Sequence, residues 1–569
     1  ASDVYKRQEQ TKTTYDRHGN LLTELKADGT RMVRNYYPGA DDPEEFERNL
    51  ESVVIYPAAP STPGEPLAQI ISSEFIYACL PALPQADPDL NMPGWLSLEQ
   101  EYIFEGEGEG EARQLLNTKV RRYLNKTDTP FLHGRVDQQD MQINGAITTS
   151  NWKYEKVKDG NNQLTWSRST ETFTDHTHTL VKKTATTYSL HNGQVVLEHD
   201  ANDVFTGYEH DVLGRVVAEI ASPCTPYATT RTTAYKLLDD GGRKRSCEEA
   251  TDSKGVVTRT VFDGSHRPIR EERKACDAVT GEIVTRTVAE LKYDSAGSLV
   301  SKIGYDYLPD KDGKAQPRVL ELKSSYAYDG WGQMCEEVRP DGIKECIDAT
   351  PLEPGGQLVT RWIESPKAPG QRLQQTVSKL NRFSKPIYEY RLLEEEVDSP
   401  EGGKQRVTRE AGRTDYTYDG LGRCLSRIES ILDPRDDNQV ITRTSKFTYD
   451  ALGRMTSNQR PDGTTLVRKF APHNMGELVT ELQLKENSNA PEQMLCERKF
   501  DGLGRLVRMT VGSRVEEYTY KGTTQLVDTR TAFSLQATGK GTRKRVIGYE
   551  YKPEPVSYTH LTLPTKRIV

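Results

Sequence analysis

The sequence predicts an all-β fold, a long meander of short hairpins that has to wrap back on itself. Three observations carry this. A six-residue turn motif recurs along the chain, a second turn signal follows it at a fixed distance, and helical periodicity is weak throughout. Turns at roughly 10- to 15-residue intervals imply some tens of strands. Open twisted sheets rarely exceed ~10 strands without curling or splitting, so a meander of this length must wrap.

The motif reads aromatic, Asp, two variable residues, Gly, then often Arg. It occurs as Tyr15-Asp16 with Gly19, Tyr293-Asp294 with Gly297, and Tyr328-Asp329 with Gly332. Full copies ending in Arg are Tyr418-Asp419-Gly422-Arg423, Tyr449-Asp450-Gly453-Arg454 and Phe500-Asp501-Gly504-Arg505. Looser copies are Tyr208 with Asp211, Gly214 and Arg215, where His210 stands nearest the Asp, and Phe262-Asp263, where His266 replaces Gly. The aromatic is expected to end a strand, and Asp to open a turn by accepting backbone N–H bonds. Gly three residues on sits where a type I turn favours it. Arg then opens the next strand, placed to bond carboxylates or carbonyls across hairpins.

The second element fixes the register. Asp16 is followed by Asp28-Gly29, Asp329 by Asp341-Gly342 and Asp450 by Asp462-Gly463, the turn Gly lying 13 residues after the motif Asp each time. The eight residues between the turns, such as Gln333 to Pro340, would span about 26 Å as strand. Asp-Gly is then expected to reverse the chain as a two-residue hairpin loop. Asn144-Gly145, Asn192-Gly193 and Asp312-Gly313 fit between these copies as further turns.

In chain order, residues 1–8 and 556–569 resemble translated adapter sequence and are expected to be non-native tails. Residues 9–38 hold a first repeat, and 116–555 the main repeat array. Between them, 39–115 is expected to be a Pro/Gly-rich insertion or long loops. Ten of the thirty prolines fall within 38–93, and proline cannot donate to a strand ladder. EGEGEGE at 105–111 is expected to be an acidic loop tip.

Composition limits the partners. Lys and Arg number 76 against 84 Asp and Glu, a net charge of -8, so no basic field invites nucleic acid. Mean hydropathy is -0.73, which argues against thickly layered cores. The 28 tyrosines outnumber the 12 phenylalanines, and an apolar ring with a polar tip suits half-wet sheet faces. No apolar run reaches the ~18 residues of a membrane span.

The motif YDGLGR, with its cousins and the trailing RPDG, resembles the YD repeats of the Rhs family. The run YDRHGNLLTELKADGT resembles the Rhs-containing subunits of insecticidal Tc toxin complexes and of bacterial polymorphic toxins. The resemblance implies a β-sheet strip spiralling into a cocoon-like shell, a fragment of which need not be closed. It implies a structural, non-enzymatic role: encapsulating and helping to deliver a C-terminal toxin domain absent from this chain. The implied partners are that cargo, remaining shell repeats of the same or another chain, and a secretion or translocation component. The implied location is secreted, from a bacterial cytoplasm. Family shells end in a self-cleaving core with paired DPxG motifs, and the sequence has none, so no catalytic residue is carried over. An adhesion module that binds carbohydrate on its outer face is the alternative.

Chemistry-bearing residues are sparse. Asp175, His176 and His178 would present two imidazoles on one strand face, as zinc can require, but no third ligand stands nearby and a solvated face is preferred. The eight cysteines lack CxxC pairs. Cys335 and Cys346 straddle a turn, yet nothing points to an oxidising compartment and free thiols are preferred. Glu394, Glu395 and Glu396 read as a solvated face. No GxSxG, HExxH, Walker A or strand-following GxGxxG occurs. The sequence therefore calls for no cofactor, no metal and no catalytic residue. Strand edges where further repeats would dock are expected to make the chain self-associate.

Overall fold

The computed structural model describes residues 10–60, 66–83, 94–107, 113–158, 163–276, 282–308, 318–350, 356–398, 404–433, 436–487, 489–535, 544–551 and 565–567. They form one antiparallel sheet of 38 strands, from Lys12–Tyr15 to Thr565–Arg567, each paired with the strand before it and the strand after it. Among the described residues the one helical element is a 3-10 turn, Gly39–Asp41. Thr, Val and Tyr are dense in strands such as Val257–Phe262 (VTRTVF) and Val181–Ser189 (VKKTATTYS), as a pleated, half-buried surface favours.

Among the described residues, substantial contact between strands is confined to sequence neighbours, and no second layer packs on either face. The accessible surface agrees. It is 36075 Å², where a compact monomer of this mass exposes roughly 20000 Å².

The strip returns to itself edge on. The turn after the fourth strand (Leu50–Tyr56) meets the turn after the 27th (Lys404–Tyr418), and the turn after the eighth (Val136–Ile143) meets that after the 31st (Thr465–Phe470). The turns after the tenth (Leu164–Thr174) and twelfth (Val195–His199) meet those after the 33rd (Gln493–Phe500) and 35th (Arg514–Tyr520). In all four pairs the partners lie 23 strands apart. One round of 23 strands at the usual spacing is roughly 110 Å about and roughly 35 Å across. The fold is thus a spiral of one sheet, laid round over round.

The stretch 39–115, expected to be an insertion or long loops, is instead threaded into the sheet. Leu50–Tyr56, Ile71–Leu80, Trp95–Glu105 and Gln114–Tyr123 are paired strands, and the described prolines among them, Pro57, Pro60, Pro66 and Pro81, fall in the connections. Proline content marked the described connections but not the strands they join. Of the expected tails, 1–8 lies outside the described residues, and of 556–569 only Thr565–Arg567 is described, as strand paired to Arg545–Glu550. Most of EGEGEGE, and Asp312-Gly313, also lie outside.

With so little apolar depth, buried ion pairs take part of the core. Glu516, with 4% of its side chain exposed, accepts from Arg530 at 2.7 Å and Tyr518 at 2.6 Å and pairs with Arg514. These partners, Arg530 first, hold its carboxyl down to about 2. Lys236 and Arg259 do the same for Glu249, also to about 2. A carboxylate with a depressed folded pKa contributes stability above its unfolded value that fades as pH falls through the folded one. Glu516→Gln is therefore expected to cost about 2 kcal/mol near neutrality and to flatten the stability profile between pH ~4.5 and ~2, measured by denaturant unfolding across that range.

Candidate functional site, the repeat turns and the seam between rounds

All eight motif turns follow odd-numbered strands, from Lys12–Tyr15 to Gln493–Phe500, so they stand on one edge of the strip. The Asp-Gly turns at 28–29, 341–342 and 462–463 follow even-numbered strands and stand on the other. The strip therefore has two chemically different edges.

The motif turns share one geometry. In the turn at 419–423, the Asp419 N–H donates to the Arg423 carbonyl and the Gly422 N–H to the Asp419 carbonyl. Asp419 Oδ1 accepts the Leu421 and Arg423 amides. The same bonds recur at Asp211, Asp263 and Asp501. These amides, with the turn's own Arg, hold Asp211 and Asp263 below the usual carboxylate range. Gly422, Gly453 and Gly504 all take positive φ, at 77°, 80° and 73°, and His266 takes that place at 60°. The Asp-Gly turns are built the same way, not as two-residue loops. Gly29 N–H reaches back to the Lys26 carbonyl with φ 94°, a type I turn closed by a left-handed Gly that keeps the sheet's twist. The strand between the two turn types is correspondingly short, Met334–Val338 rather than Gln333 to Pro340.

Arg and the aromatic link each turn to the next. Arg423, Arg454 and Arg505 pair through Nε with their own Asp at 2.6, 2.8 and 2.8 Å. Each guanidinium then lies over the next aromatic on that edge: Arg423 over Tyr449, Arg454 over Phe470, Arg505 over Tyr520. Arg215 covers Tyr235 and Arg267 covers Tyr293 likewise. The tyrosine hydroxyls donate one hairpin back, to the first carbonyl of the preceding strand: Tyr293 to Pro268, Tyr328 to Leu299, Tyr418 to Pro386, Tyr449 to Cys424. Burial pushes the Tyr418 hydroxyl well above the ordinary tyrosine range. Tyr208 differs and bonds the Glu198 carboxylate, while Tyr15 is exposed. Tyr418→Phe is expected to cost about 1 kcal/mol by leaving the Pro386 carbonyl unmet, and Tyr15→Phe nothing measurable, both read by chemical denaturation.

The seam buries a subset of these turns. Ala58 N–H donates to the Gly420 carbonyl at 2.8 Å, Arg423 Nη2 to Gln69 Oε1 at 3.0 Å, and Asn144 Nδ2 to the Pro472 carbonyl at 2.8 Å. His176 stacks on His473 at 4.2 Å, and Thr523 Oγ1 bonds the Ala201 carbonyl. Asp419, Arg505 and Tyr418 are buried here, whereas Val212 and Trp331 in equivalent turns elsewhere are exposed. Gly420 and Gly502 have no room for a side chain: a Cβ would lie 2.0 Å from the Ala58 carbonyl oxygen and 2.2 Å from Asp175 Cβ. The same motif position at Gly264 and Gly330 faces open space.

Asp175, His176 and His178 are not on a strand. They form a seam turn in which His178 takes φ 59° and the fully buried Asp175 accepts the Leu180 amide at 2.8 Å. Burial and the neighbouring His176 hold His473 below the ordinary histidine range. Among the described residues no group of three His, Cys, Asp or Glu is placed to hold a metal ion. Cys346 stands opposite Glu336, so Cys335, one residue away, points to the other face and the two cannot join. Among the described residues no helix is long and apolar enough to cross a membrane.

The motif reading missed Gly420, Gly502 and Ala58, and it missed the turn at 381–385. There Asn381 replaces Asp and Ser384, at φ 57°, replaces Gly, with the same closing bonds.

No protein-family model matches the sequence, and no curated protein is similar to it. Solved structures are similar to it. The crystal structure of TcdB2-TccC3 without its hypervariable C-terminal region aligns over 95% of this chain and 29% of its own, with a TM-score of 0.52 and 13% identity. The crystal structure of TcdB2-TccC3 aligns over 95% and 27%, with a TM-score of 0.50 and 14% identity. The chain spans under a third of the length of either. At this identity the likeness is one of fold, and this chain shares the all-β architecture of those structures.

Proposed function

We propose that the chain is a structural, non-catalytic segment of an Rhs/YD-repeat shell that encapsulates a toxin domain carried outside it and helps deliver that domain from a secreted complex. The observation that carries this reading is the 23-strand round: one sheet laid edge to edge around a space, with no second layer on either face among the described residues. Folding energy spent on two tailored edges, and none on a packed sandwich, suits a container. Support also comes from the fold shared with the TcdB2-TccC3 structures and from the repeat motif itself. Sequencing the source locus across both ends of the chain is expected to find paired DPxG motifs and a variable C-terminal domain downstream. That domain, produced with the shell, should resist protease that digests it when free. A membrane anchor or cell-wall segment there, with no cargo domain, contradicts the proposal.

One observation favours the adhesion alternative. A hollow of about 600 Å³ on one strand face is lined by Glu389, Arg391, Tyr416 and Arg427, and aromatic and guanidinium groups of this kind can hold sugars. Saturable glycan binding that Tyr416→Ala abolishes would establish it; an empty glycan array would remove it.

A further inference from the structure

The seam within the chain is one-directional. It joins motif-edge turns of the later round to opposite-edge turns of the earlier round, a heterologous contact that uses up only one edge of each. The motif edge of the earlier round carries the same turns with bare tips. Leu213 and Trp331 occupy the second variable position of the motif, as Leu421 and Leu503 do at the seam. Leu213 is 75% and Trp331 71% exposed, and adjoining Val212 is fully exposed, whereas Leu421 and Leu503 are half-buried. Gly330 faces open space where Gly420 faces the Ala58 carbonyl. Scattered exposed apolar residues need no explanation, but Leu213 and Trp331 stand at a motif position that the seam covers in Leu421 and Leu503.

The complementary edge is also present in the same molecule, where Lys254 and Gly255 at the tip of one of its turns are exposed. The turn at 252–256 is closed by Asp252 Oδ1 accepting the Lys254 and Val256 amides, the bonds by which Asp200 closes the seam turn at 200–204. It follows an even-numbered strand, Arg243–Thr251, as the seam turn does.

We infer that the motif-edge row from the turn at 211–215 to the turn at 329–333 is a second docking seam, and that its occupant is the opposite edge of a second copy of this chain. The contact repeats the internal seam between molecules and, being heterologous, adds copies in an open series. The inference rests on the edge geometry and not on what the shell contains, so failure of cargo protection would leave it standing.

Sedimentation velocity of the full chain over rising concentration tests it, with cross-linking and mass spectrometry to locate the contact. Wild type is expected to self-associate, with cross-links running from 211–333 of one copy to the opposite edge of another. Leu213→Asp with Trp331→Asp is expected to weaken association at least about tenfold. These tips are exposed, so circular dichroism and thermal unfolding should stay unchanged. A chain that stays monomeric at every concentration, association indifferent to the two substitutions, or symmetric tip-to-tip cross-links would each overturn the proposal.

Discussion

Gly420→Val and Gly502→Val are expected to part the two rounds of the sheet. Neither glycine needs a left-handed backbone, so the effect is steric alone. The new Cβ would fall 2.0 Å from a backbone carbonyl at Gly420 and 2.2 Å from the buried Asp175 at Gly502. Backbone cannot swing aside as a flexible side chain can, so the turn must lift away and take the Ala58–Gly420 hydrogen bond with it. Each substitution is expected to cost about 3 kcal/mol and to release amide protection at both sides of the seam, around 57–58 and 419–423 or around 175–180 and 501–505. Gly264→Ala and Gly330→Ala, at the same motif position with open space before them, should stay within about 0.5 kcal/mol. Hydrogen exchange followed by mass spectrometry separates the outcomes; equal effects at all four sites would mean that the glycines serve the turn and not the seam.

Arg505→Ala is expected to be the most damaging change to a motif arginine. With 3% of its side chain exposed, Arg505 pairs with Asp501, covers Tyr520 and donates to the Gly522 and Thr524 carbonyls. Removing it strands a carboxylate and two carbonyls together, a loss of about 3–5 kcal/mol. Lysine cannot span those partners with one ammonium, so Arg505→Lys should fall nearer to Ala than to wild type. Arg215 makes the same Asp pair and aromatic contact with 44% of its side chain exposed, and Arg215→Ala should cost under about 1 kcal/mol. Denaturant unfolding compares the four proteins.

The local geometry of the repeat was legible in the sequence because it is made of local bonds. Asp capping two amides, Gly at positive φ and an aromatic closing the strand all lie within six residues, and spacing reveals them. The strand count also followed from turn spacing. Three features were not legible. Residues 39–115 concealed their strands, because prolines in the connections outweighed the β-rich runs between them. The turn at 381–385 was hidden by Asn and Ser standing in for Asp and Gly. The seam was invisible because its partners lie hundreds of residues apart, and the signal that marks it is ambiguous: Gly420 and Gly330 share a motif position but only one meets another round. The DHTH run was misplaced for the same reason, since Asp175 and His176 take their surroundings from 473 and 502.

The central claim is that the sheet returns to itself every 23 strands. Pairing Ala201→Cys with Thr523→Cys tests it most directly, because the Thr523 hydroxyl bonds the Ala201 carbonyl across the seam. A second pair, Ala201→Cys with Ala451→Cys, serves as the comparison, its 451 partner lying six strands before 523 on the same edge. Under mild oxidation, with disulfides mapped by mass spectrometry at dilution, the account predicts an intramolecular 201–523 bridge and no 201–451 bridge. Failure of the first pair to join, or equal joining of both, would contradict a spiral with this round.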